Sequence, residues 1–158
     1  MAANGIRPLR SGQRLMQNPP DSVLRDLLCG VNRIAVVGIK ANPAEDAYRV
    51  PAYLQAHGYR IQPVSPKLRS VLGEPCVPAV GELADAPELV NLFRAPAHVA
   101  AHADEILALP NPPRAVWLQL GIRDDASAER LARAGIAVVQ DLCIMVEHRR
   151  LLLAGAGA

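Results

Sequence analysis

Arg33-Ile34-Ala35-Val36-Val37-Gly38 is the stretch from which the rest of the chain is read. Its apolar residues run on without the polar alternation of a half-exposed strand. That pattern predicts a strand covered on both faces, with Gly38 turning the chain at its end. Upstream, Asn18-Pro19-Pro20-Asp21 opens a helix that Asp21 or Ser22 can cap. Val23, Leu24, Leu27 and Leu28 share one face of it, and Gly30 ends it. Downstream, Asn42 and Pro43 mark a loop. Val50, Tyr53, Leu54 and His57 then line a helix stopped by Gly58, with Pro51 tolerated as part of a first turn. Strands are expected at 59–64, 88–93, 114–120 and 136–140. Helices are expected at 97–109, at 124–134 with Asp124 as cap, and at 142–152. The Gly/Pro-rich stretch 67–81 holds only short pieces of structure. Strands alternating with helices predict an α/β fold, a Rossmann-like, doubly wound parallel sheet in three layers. A single domain is expected over 18–153, with a flexible leader at 1–17 and a flexible tail at 154–158.

The composition is that of a globular chain: 158 residues, 51% apolar and 20% charged. Seventeen basic and 15 acidic residues leave a net charge of +2, too balanced for the basic stripe of a nucleic-acid binder. No apolar run approaches the roughly 18 residues of a membrane span, and the first 17 residues carry no apolar signal segment. Cys29, Cys76 and Cys143 are widely spaced and form no CxxC. A reducing, cytoplasmic setting without disulfides is therefore expected.

In an open parallel sheet a ligand sits beyond the carboxyl ends of the strands, where the strand order reverses. The loops to watch are therefore 38–49, 63–69, 93–98, 119–125 and 140–148. Gly38-Ile39-Lys40-Ala41-Asn42-Pro43 has one glycine where a dinucleotide fingerprint has three. Gly38 either turns the chain simply or brings backbone amides to a phosphate. Lys40 reads as a phosphate ligand or as a solvated lysine, Arg49 and Arg94 as anion ligands or surface ion pairs. Trp117 reads as core or as a stacking platform. Cys143 follows a strand end on the ligand side, as an inert small side chain or as a thiol that could exchange with a ligand thiol. Glu147 and His148 form an acid–base pair or merely sit on the closing helix. His98 and His102 are four apart, but two ligands do not make a zinc site, and no metal is expected.

The segments Ile34-Ala35-Val36-Val37-Gly38, Asn42-Pro43, Tyr48-Arg49-Val50, Tyr53-Leu54, His57-Gly58-Tyr59, Pro63-Val64-Ser65-Pro66, Trp117-Leu118-Gln119-Leu120-Gly121 and Glu147-His148 occur in this order along nearly the whole chain. Together they resemble the small stand-alone CoA-binding domain proteins, which are similar to the N-terminal domain of the succinyl-CoA synthetase alpha subunit. The resemblance implies coenzyme A as ligand. It implies phosphates held by Gly38, Ile39, Lys40, Ala41 and Asn42 and by the helix start at Tyr48 and Arg49. It places Val64, Ser65 and Lys67 beside the adenosine 3′-phosphate. Phe93, Arg94, Ala95, Trp117, Leu118 and Gln119 would face the adenine and pantetheine path; Cys143, on the ligand side by its place after a strand, could form a mixed disulfide with the CoA thiol. The chain departs from that family where Lys40 replaces a serine and Glu45-Asp46-Ala47 replaces Arg-Pro-Ser, which brings two carboxylates to a phosphate site. Leu142 and Ile144-Met145 also replace an Arg and a Pro-Lys pair.

The expected function is therefore a non-catalytic module binding CoA or an acyl-CoA, in a monomer or a homo-oligomer. An NAD(P)-binding protein is the alternative, although Val64-Ser65-Pro66 stands where that class grips ribose with an acid. A third reading is an assembly protein with a degenerate pocket. It would be favoured by a crevice plugged by side chains with Glu45 and Asp46 pointing inward.

Overall fold

The computed structural model describes residues 16–154. Helix α1 (Asp21–Gly30) leads into β1 (Arg33–Val37), followed by α2 (Asp46–Ala56) and β2 (Arg60–Val64). A two-stranded hairpin of β3 (Ser70–Val71) and β4 (Glu74–Pro75) comes next, then β5 (Leu89–Leu92), α3 (Val99–Leu107), β6 (Ala115–Leu118), α4 (Asp125–Arg133), β7 (Ala137–Val139) and α5 (Ile144–His148). The main sheet has five parallel strands in the order β2-β1-β5-β6-β7. This is the flavodoxin-like form of the doubly wound order, in which the winding reverses between β1 and β5.

The continuous apolar run of β1 has the physical origin expected of it. Ile34 and Val36 pack on one side with Leu24, Leu28, Leu54, Trp117, Ile144 and Leu151. Ala35 and Val37 pack on the other with Val99, Ile106, Ala128 and Leu131. Helices α1, α2 and α5 thus cover one face and α3 and α4 the other, giving three layers. Each large side chain buried this way stabilises the fold by roughly 1.5–3 kcal/mol before entropy is counted.

Several local expectations are corrected. Neither Asp21 nor Ser22 caps α1: Pro20 is the N-cap, and Asp21 lies in the first turn. Asp124 does occupy the N-cap of α4, but its carboxylate accepts a bond from the Ser127 hydroxyl at 2.5 Å rather than from a backbone amide. The predicted helix 97–109 is a 3₁₀ turn, Pro96–His98, followed by α3. The closing helix is short and continues as a π-helical segment, Arg149–Ala154. Leu151 of that segment is buried within the fold. Arg150 clamps the segment to α1 through Asp21 at 2.8 Å and to Glu147 at 2.6 Å, and its hydrogen bonds hold the Asp21 carboxyl below the usual range. The leader and tail expected at 1–17 and 154–158 lie outside the described residues except for residues 16, 17 and 154.

The most informative correction is α2, which begins at Asp46 and not near Val50, so Pro51 falls inside it. A proline there has no N–H for the carbonyl four residues back. That carbonyl belongs to Ala47, and the Lys40 amide donates to it at 3.2 Å. The interruption that looks like a helix start is thus what ties the loop after β1 to α2.

Candidate functional site

At the reversal point the backbone ladder runs one residue past the strands. The Gly38 amide donates to Val64 O at 3.1 Å, Phe93 N to Val37 O at 2.8 Å, and Gln119 N to Leu92 O at 3.2 Å. Three loops therefore leave the sheet from one level. Gly38 has φ +87°, and a Cβ there would fall 2.4 Å from Phe93 O and 3.1 Å from Arg94 Cδ. Only glycine lets the first loop pass so close to β5.

Above these ends lies an open crevice of about 490 Å³. Its walls are Lys40, Glu45, Asp46 and Ala47 from the first loop and α2, Phe93, Arg94 and Ala95 after β5, Gln119, Leu120 and Ile122 after β6, and Cys143 before α5. Lys40 and Lys67, the 2 lysines of the chain, both follow sheet strands at this end. Arg94 makes no ion pair among the described residues, and its Nε is buried without a hydrogen-bond partner. The Nε is closed off from solvent, so an anion in the crevice would meet the rest of the Arg94 guanidinium, which lines it and makes no ion pair among the described residues. Gln119 is oriented from behind: its Oε1 accepts from Asn91 Nδ2 and from Ile144 N, both at 3.3 Å, which leaves its amide nitrogen available.

The crevice is not plugged, although Glu45 and Asp46 do line it. Asp46 is paired with the Arg49 guanidinium in the first turn of α2. Its charge is thus partly neutralised by a residue expected to hold phosphate.

The structure brings together Lys40, Phe93, Arg94, Ala95, Gln119 and Cys143 of the residues singled out by sequence. Gly38 and Val64 line a smaller adjoining recess of about 100 Å³ with Arg94 and His102. Ser65 is buried beside it and accepts from the Lys67 amide at 3.1 Å. Ala41 and Asn42 are exposed in the first loop, where the Asn42 side chain accepts from the Ala44 amide at 2.9 Å. Tyr48 and Arg49 are not in the crevice but in a neighbouring groove between α2 and α5.

Two of the side chains singled out are buried in the core. Ile39 packs in the core, and Trp117 is fully buried, its Nε1 donating to Leu142 O at 2.8 Å. Of its two readings Trp117 is core. Glu147 and His148 diverge: Glu147 binds Arg150, while His148 Nδ1 meets the Tyr53 hydroxyl at 2.8 Å. Burial and the neighbouring His57 hold His148 below the usual histidine range. His102 pairs with Glu105 at 2.9 Å. Leu120 and Ile122 lie in the watched loop 119–125 but were not assigned to the ligand, and Asn91 escaped the sequence reading. The first two lie just past β6 in no periodic pattern, and a polar residue inside a strand gives no hint of its partner on the adjacent strand.

Comparison with known proteins agrees with this fold. A Thermus thermophilus protein, cell-free ID.343, superposes with a TM-score of 0.81 at 40% identity, covering 85% of this chain and 100% of that one. A hypothetical protein from Pyrococcus horikoshii OT3 gives 0.81 at 32% identity, covering 88% and 99%. The uncharacterized protein YneT of Bacillus subtilis (strain 168) is 33% identical over 133 residues, 84% of this chain and 97% of YneT. The family model described as CoA binding domain matches residues 32–149, from the start of β1 through α5, and the chain belongs to that family.

Proposed function

We propose that the protein binds coenzyme A or an acyl-CoA in the crevice at the β1/β5 reversal and acts as a binding or regulatory module without catalysis of its own. The observation that carries this reading is Arg94, which lines the crevice and makes no ion pair among the described residues. Lys40 adds a second cation, and the amides of Ile39, Ala41 and Asn42 are left for the phosphates, those of Gly38 and Lys40 being bonded to Val64 O and Ala47 O. Val64, Ser65 and Lys67 flank the adenosine end in this reading. Gln119 and Cys143 lie toward the pantetheine thiol. The carboxylates of Glu45 and Asp46 lower affinity but do not fill the space.

Two measurements on the purified protein test this. Co-purified ligand, released by denaturation, should show adenine absorbance and the mass of a CoA species. The ligand-free protein should gain thermal stability with CoA and not with NAD or NADP. Stabilisation by the dinucleotides alone would favour the alternative. An empty protein indifferent to all three would favour an assembly role with a degenerate pocket.

A further inference from the structure

A second cavity of about 490 Å³ runs between α2 and α5, lined by Tyr48, Arg49, Ala52, Tyr53, Met145 and Arg149. It begins where the crevice ends. Ala47 lines the crevice and Tyr48 the groove; Cys143 lines the crevice and Met145 the groove. On α2 the lining residues recur four apart, Tyr48 with Ala52 and Arg49 with Tyr53. On the other wall Met145 and Arg149 recur in the same way, so each wall is one continuous face. The floor is two tyrosines, an alanine and a thioether, all partly buried. The two cations differ. Arg49, near the crevice, is held by Asp46. Arg149, farther along, has no carboxylate partner among the described residues, and its guanidinium carbon lies 4.9 Å from the centre of the Tyr53 ring. Tyr53 is itself fixed from below by His148.

We propose that this groove receives the acyl end of the ligand, and that the ligand is an acyl thioester whose acyl group is apolar along its length and ends in a carboxylate. The proposal rests on the CoA reading of the crevice. A thiol end that reaches Cys143 stands at the mouth of the groove. From there an acyl chain passes the Asp46-held Arg49, runs over the apolar side chains and meets Arg149 last. Tyr48 and Arg49, which the resemblance assigns to phosphates, serve the acyl chain in this arrangement.

The test compares CoA, hexanoyl-CoA and adipoyl-CoA by calorimetry; the two thioesters have chains of equal length and differ in the terminal carboxylate. Hexanoyl-CoA should bind about 10-fold tighter than CoA from apolar burial in an open groove. Adipoyl-CoA should gain roughly another 5-fold from a partly exposed charge-assisted pair. In Arg149→Gln the adipoyl-to-hexanoyl ratio should fall to about 1. In Ala52→Phe, checked for folding by its melting curve, the hexanoyl-to-CoA ratio should fall likewise. If the wild-type protein binds all three within about 2-fold, well under the burial and pairing gains expected, the groove proposal fails while the CoA reading stands. Arg149→Gln weakening all three by one factor would also overturn it, since Arg149 would then hold a phosphate. No binding of any of the three would remove the CoA reading and this proposal with it.

Discussion

Replacing Gly38 with alanine isolates the feature that shapes the crevice. The residue has φ +87°, so any side chain costs roughly 1–2 kcal/mol in backbone strain. Its Cβ would also sit 2.4 Å from the Phe93 carbonyl oxygen, far inside van der Waals contact, and that oxygen belongs to backbone at the end of β5. Relief requires the ends of β1 and β5 to part by several tenths of an ångström, an overpacking cost of about 1–3 kcal/mol. The sum is about 2–5 kcal/mol. Gly135 supplies the control. It has φ +86°, but a Cβ there meets nothing within 4 Å, so Gly135→Ala pays the strain alone. Urea denaturation of the two variants beside wild type reads the difference directly. Gly38→Ala should lose about 1–3 kcal/mol more than Gly135→Ala. Equal losses would mean that the approach of the first loop to β5 constrains nothing, and that Gly38 merely turns the chain.

Removing the carboxylate at the crevice wall, as in Glu45→Gln, should tighten CoA binding about 2- to 3-fold at low ionic strength, with the gain vanishing at high salt; titrations at two salt concentrations decide it. His148 is held below 6.5 in the fold, so the unfolded chain takes up a proton first as pH drops. Stability should be full above about pH 6.5 and decline below it, and His148→Gln should flatten that decline in denaturation curves at pH 7.5, 6.5 and 5.5. An unchanged slope would show that His148 does not carry it. Trp117→Phe leaves the Leu142 carbonyl without its donor and a gap in the core, a loss of about 2–4 kcal/mol. That should appear as a melting temperature lower by about 5–15 °C.

Much of the fold is legible because burial on both faces writes itself plainly into sequence. β1 and β6 are continuous apolar runs and β5 is broken only by Asn91, and each lies at a covered position in the sheet. The start of α2 is not legible. Asp46 to Arg49 shows no apolar period, Pro51 imitates a first turn, and the Lys40 amide that accommodates the proline comes from another segment. The crevice residues that could be found lie directly after strands: Lys40, Phe93, Arg94, Gln119 and Cys143. Sequence did not reveal that Asp46 would occupy Arg49, or that Tyr48 and Arg49 would face α5 across a groove. Both depend on where α2 begins. The bond between Tyr53 and His148 joins residues 95 apart, and no local pattern encodes it.

Calorimetric titration of CoA into ligand-free protein, wild type and Arg94→Gln side by side, reaches the central claim most directly. A single site per chain with micromolar affinity is expected, weakened about 10-fold or more in the variant as a charge-assisted phosphate contact is lost. Absence of any binding heat at millimolar CoA, or equal affinity in the two proteins, would contradict a crevice that gathers phosphates around Arg94.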